Sequence, residues 1–151
     1  MDLTLAWAAI IALGLFLYVV LDGFDLGIGI LFPFFPDARE RDTMMHSVAP
    51  VWDGNETWLV LGGAGLLAAF PMVYSVLLSA LYLPLVLMLV CLIFRGVAFE
   101  IRGKSQRTRP WWDLAFIGGS AGATFFQGVS LGAYLSGIPV ENGQFAGDAF
   151  A

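Results

Sequence analysis

Residues 57–94, TWLVLGGAGLLAAFPMVYSVLLSALYLPLVLMLVCLIF, are 38 positions without one Asp, Glu, Lys or Arg. A single helix of that length would run about 57 Å, almost twice a hydrocarbon core of roughly 30 Å. The stretch therefore reads as two membrane helices. The break is expected at AAFPMVYS, residues 68–75, where Pro71 suits the first turn of a new helix and the rings of Phe70 and Tyr74 suit a membrane interface.

Further uncharged runs lie on either side. Leu3 to Leu21 gives 19 uncharged residues, enough to cross a bilayer. Leu114 to Val140 gives another, with Trp111 and Trp112 at its start like an interfacial belt and Gly137 and Pro139 at its end. Composition agrees: 59% of the 151 residues are hydrophobic and 13% charged, and the mean hydropathy is +0.82. The fold expected is an all-α integral membrane protein with four transmembrane helices at about 5–32, 52–70, 72–97 and 111–136. The amino end carries Asp2 and lacks a positive n-region, so a cleavable signal is not expected.

All seven basic residues fall in two loops: Arg39 and Arg41 in one, Arg95, Arg102, Lys104, Arg107 and Arg109 in or beside the other. By the positive-inside rule the loops 33–51 and 98–110 are cytoplasmic. The amino terminus, the turn at Pro71 and the acidic stretch with Glu141 and Asp148 are then outside. The net charge of −5 reflects buried carboxylates and that stretch rather than an acidic surface.

Those carboxylates are the unusual chemistry. LDGFDLGIGIL, residues 21–31, sets Asp22 and Asp25 roughly 5 Å and 10 Å from the middle of the first helix. A charged carboxylate that deep costs on the order of 3 kcal/mol, so each must face protein or water or bind a proton. The second helix opens on APVWDGNETW, residues 49–58, and brings Asp53, Asn55 and Glu56 to the same level. Asp22 and Asp25 are three apart, as are Asp53 and Glu56, so each pair can share a helix face. Four carboxylates this close would repel if all were ionised, which favours proton sharing. Arg95 is the candidate counter-charge. A set of helix caps and snorkelling groups marking the membrane edge is the plainer alternative, weakest for Asp22 and Asp25 because apolar residues continue beyond them.

Other features read as packing. Gly23 to Gly27 and Gly118 to Gly122 have the small-xxx-small spacing of closely approaching helices. Ser120, Thr124 and Gln127 form a polar stripe expected to bond to neighbouring helices, and Cys91 reads as a small packed residue. His46, the only histidine, reads as a surface or capping group. No convincing metal or haem site, phosphate loop, nucleophile triad or nucleic-acid signature is present, and topology alone explains the basic loop at 95–109.

Taken together, LDGFDLGIGIL, SVAPVWDGNETWLVLGGAGLLAAFPMVYS (47–75), FRGVAFEIRGK (94–104) and FFQGVSL (125–131) closely resemble the amino-terminal half of subunit II of cytochrome bd-type quinol oxidases. The resemblance implies a multi-pass subunit in the bacterial inner membrane. The complex would oxidise quinol, reduce dioxygen to water and take protons from the cytoplasm. Its haems b and d would be held chiefly by a haem-bearing subunit I, with no catalytic residue or metal assigned to this chain. Room is left for a bound quinone, for lipid and for a small single-helix subunit. The DGFD and WDGN motifs place proton transfer on Asp22, Asp25 and Asp53. Glu56, whose counterpart varies in polarity, would assist, and Arg95 would orient these acids or a haem propionate.

Family members have eight membrane helices in two four-helix halves. This chain stops after the fourth, and 137–151 would be an outside loop leading to a missing fifth helix, so a fragment is expected rather than a split subunit. Half of a secondary transporter with an acidic cation or proton site is the alternative function, and a purely structural subunit a third.

Overall fold

A computed structural model describes residues 2–147. Its helices are α1 (Leu3–Leu31), α2 (Ala38–Val48), α3 (Trp52–Ala69), α4 (Pro71–Ala80), α5 (Tyr82–Ile101) and α6 (Arg109–Ser136), with a 3₁₀ turn at Phe32–Phe34 after α1. Among the described residues, three helical stretches are long and apolar enough to cross a membrane: Leu3–Phe34, Tyr82–Ile101 and Arg109–Ser136. The expected loop beyond residue 147, with Asp148, lies outside the described residues.

Local chemistry accounts for the boundaries. Asp2 caps α1 by accepting a hydrogen bond from the Thr4 amide at 3.0 Å. Phe70, with φ −136° and ψ 63°, separates α3 from α4, and Pro71 opens α4. One helix was expected over 72–97, but the chain bends at Leu81 between α4 and α5. Pro84 is the reason: it has no amide to give the carbonyl of residue 80, and its ring crowds that carbonyl. Hydrogen bonds from Leu81 to Leu77 and from Leu85 to Leu81 continue on both sides, so this is a kink and not a loop.

α6 ends at Gly137, whose φ of 94° a side chain would disfavour. A two-residue Asn142-Gly143 turn then joins the short strands Val140–Glu141 and Gln144–Phe145. Both turn residues have positive φ, the geometry favoured in such hairpins. This hairpin, and helix α2 within the loop 33–51, are absent from the sequence-based expectation.

α5 packs along α6, α1 along α3, and α1 also meets α6. One apolar cluster joins Leu26, Met88, Leu92 and Ala123; the other joins Phe32, Met45, Ala98 and Phe116 near the arginine-rich end. Small residues set the close approaches, but of those the spacing suggested only Gly122 does so. Gly23, Gly27 and Gly118 face open space. The contacts fall instead at Gly29, where a methyl would strike Ser120, at Gly62 against Leu15, and at Gly119 and Gly122 against Cys91. A repeat of small residues marks a spacing, whereas the contact depends on how each helix is rotated.

Candidate functional site

Asp22 and Asp25 lie on the buried face of α1, which also carries Gly14, Tyr18, Leu26 and Gly29. They are 0% and 1% exposed. Each is held by a polar partner from another helix. Arg95 of α5, itself fully buried, donates from Nη1 to Asp22 Oδ1 at 3.3 Å and to Glu56 Oε1 of α3 at 2.7 Å. The guanidinium also lies 5.4 Å from the centre of the Phe99 ring, one turn further along α5. Asp25 accepts a hydrogen bond from Asn55 Nδ2 at 2.8 Å, and the same nitrogen lies 3.5 Å from the Leu21 carbonyl oxygen.

Two of the four acids, Asp22 and Glu56, are thus brought together on Arg95, and a third, Asp25, is held by Asn55 one turn along α1. Asp53 joins neither: its side chain is on the exposed side of α3 and has no hydrogen bond or ion pair among the described residues. Asn55 rather than Asp53 meets Asp25. With one guanidinium between two carboxyls, the Asp22–Arg95–Glu56 triad is neutral with one bound proton and singly negative without it. A group that changes by one charge in a buried setting, next to a further carboxyl, can receive and release a proton.

A second polar cluster lies where α2, α5 and α6 meet. Arg102 Nη1 donates to Asp42 Oδ1 at 2.6 Å, and Arg109 pairs with the same oxygen. Asp113 pairs with Arg102 and accepts from Arg41 Nη1 at 3.0 Å. Arg41 and Arg102 both sit over the Phe32 ring, 5.1 and 5.4 Å from its centre. Hydrogen bonds from Arg102, and secondarily from Arg109, hold the Asp42 carboxyl below the usual carboxylate range. These arginines therefore clamp α2 onto the helical bundle, a task that the charge pattern of the loops alone does not reveal.

The remaining residues singled out in the sequence have local partners. His46 is exposed, its Nδ1 within 2.6 Å of the Asp42 carbonyl oxygen. Thr124 donates to the Ser120 carbonyl of its own helix at 2.9 Å, not to a neighbouring helix. Cys91 is half-buried against Gly119 and Gly122. Tyr18 is a further buried polar residue, absent from the sequence-based expectation. It is 3% exposed, and the signal was its place one turn before Asp22 in an otherwise apolar run. Among the described residues, no three His, Cys, Asp or Glu side chains form a group able to hold a metal ion.

The family described as cytochrome bd terminal oxidase subunit II matches residues 3–151. The chain belongs to that family. Similar proteins include the cytochrome bd-I ubiquinol oxidase subunit 2 of Escherichia coli K12, 40% identical over 137 residues that cover 88% of this chain and 36% of that protein. The cytochrome bd ubiquinol oxidase subunit 2 of Bacillus subtilis is 37% identical over 144 residues, covering 93% of this chain and 41% of the relative. A probable cytochrome oxidase subunit 2 of Haemophilus influenzae is 41% identical over 137 residues, 88% of this chain and 36% of the relative. The chain thus spans roughly two-fifths or less of the length of these curated relatives. Its family and its apolar helices mark it as a membrane protein.

Proposed function

We propose that this chain is the first four-span half of the second subunit of a cytochrome bd-type quinol oxidase, and that it carries protons from the cytoplasm toward oxygen reduction. The complex oxidises quinol and reduces dioxygen to water. Its b and d haems sit in a partner subunit I, and four more helices would complete an eight-helix subunit. The arginine-rich end, with loops 33–51 and 98–110, faces the cytoplasm and the amino terminus faces outward. In support of haems held elsewhere, His46 bonds locally on an exposed helix and Met88 is packed with Leu26 and Leu92.

One observation carries the reading: the acids form a row from an exposed to a buried member. Asp53 stands exposed at the start of α3, the buried Asp25 is bonded to Asn55 of the same helix start, and one turn along α1 Arg95 joins the buried Asp22 to the partly exposed Glu56. Protons would enter at Asp53, pass by Asp25 and reach Asp22 and Glu56, with Arg95 holding the two carboxyls in place. A transporter site built from interrupted helices is disfavoured, because α1 and α3 run unbroken past these residues.

The test uses the assembled oxidase with Asp25→Asn or Asp53→Asn. Oxygen consumption should fall by about 10²-fold at Asp25, in the range for a lost acid–base group, and by less at the exposed Asp53. The haem absorption bands should remain. Normal turnover in both variants would rule out the relay, and loss of haem together with turnover would indicate an assembly role instead.

A further inference from the structure

The Asp22–Arg95–Glu56 triad leaves polar atoms over. Asp22 uses Oδ1 on Arg95, and its Oδ2 is buried without a partner among the described residues. Arg95 uses only Nη1, and both Nε and Nη2 are buried and unpartnered. One turn along α1, away from the arginine-rich end, the Tyr18 hydroxyl is also buried and unpartnered. Tyr18 and Asp22 are four apart on the buried face of α1, and Asp22 is bonded to Arg95, so the four atoms belong to one neighbourhood. Buried polar groups seldom go unsatisfied in a native protein, and four in one place call for a common partner.

We propose that Tyr18, Asp22 and Arg95 enclose a binding site for water at the inward end of the acidic row. The chemistry of the free atoms selects water over other ligands. Arg95 Nε and Nη2 can only donate, Asp22 Oδ2 accepts, and the Tyr18 hydroxyl does both. A cation would be repelled by the guanidinium, and an anion would meet the free carboxylate oxygen. Water alone both donates and accepts, and the two to four partners that hold a buried water are present. Tyr18 is then a positioning residue: its hydroxyl fixes the water against Asp22 and extends the row one helical turn deeper, about 6 Å. The water site follows from the unpartnered atoms alone, while its part in proton transfer rests on the function proposed above.

Two measurements on the assembled complex carrying the full-length chain test the two parts. A high-resolution density map should show an ordered peak within hydrogen-bond distance of Arg95 Nε or Nη2 and of Asp22 Oδ2 or the Tyr18 hydroxyl. An empty site in such a map overturns the proposal, whether or not any variant assembles. Tyr18→Phe keeps the ring and removes the hydroxyl. It should slow oxygen consumption about five- to tenfold, the kinetic equivalent of one lost hydrogen bond, with haem bands intact and a larger solvent isotope effect. A present water with unchanged rate and isotope effect in Tyr18→Phe overturns the positioning role. If Asp25→Asn is also without effect, the failure is that of the proton-path reading and not of the water site.

Discussion

Arg95 is the residue on which the buried chemistry turns. Asp22 and Glu56 both bond to its Nη1, and removing it would leave two carboxyls facing each other without compensation. Arg95→Leu should destabilise the assembled protein by about 3–5 kcal/mol, read as a lower thermal midpoint of the purified complex. An unchanged midpoint would mean that the triad contributes nothing to the fold. Asp22 was legible in the sequence because a carboxylate within an apolar run is costly enough to demand a reason, and Glu56 because the first turns of the next helix return to the same level. The position of Asp53 was not. A spacing of three places two residues on one helix face without saying which face, and here Asn55 takes the inward place beside Asp25. Asp113 was not legible, because its partners Arg41 and Arg102 lie 72 and 11 positions away and only tertiary structure joins them.

Among the helices, the α5–α6 seam depends on glycines that a sequence pattern cannot rank. A methyl at residue 119 would come within 2.6 Å of the Cys91 carbonyl oxygen, while one at 118 meets nothing within 4 Å. Gly119→Ala should therefore cost about 1–3 kcal/mol through forced separation of α5 and α6, whereas Gly118→Ala should leave the parent stability unchanged or raise it by up to about 1 kcal/mol. Thermal melts of the two variants side by side check this, and equal midpoints would contradict the packing. The long apolar helices and the break at Pro71 were legible because length and hydropathy constrain a membrane span so tightly. The kink at Leu81 depends on Pro84 in an unbroken apolar run, and the hairpin on a single Asn-Gly pair. Both are local backbone events beneath a signal dominated by hydropathy.

For the whole molecule, the arginine clamp and the acidic row lie toward the same end of the bundle. Asp42 in the clamp has its carboxyl held below the usual range, so the folded state favours its charged form. Its stabilisation is fully present above the ordinary carboxylate value near pH 4, declines as pH falls below it, and is gone once pH has passed the depressed folded value. Amide exchange in α2, corrected for the intrinsic rate, should stay slow from pH 7 to about 4 and rise below it. In Asp42→Asn it should be fast throughout; slow exchange in that variant would show that α2 is held by something else.

The central claim is that protons reach the buried triad from the arginine-rich side by way of Asp53 and Asp25. Proton uptake from that side, followed in oriented proteoliposomes during a single oxygen-reducing turnover, tests it most directly. In Asp25→Asn, proton uptake should slow by about 10²-fold while electron transfer from quinol to the haems keeps its parent rate. Proton uptake at the parent rate in Asp25→Asn, with the haems fully present, would contradict the claim.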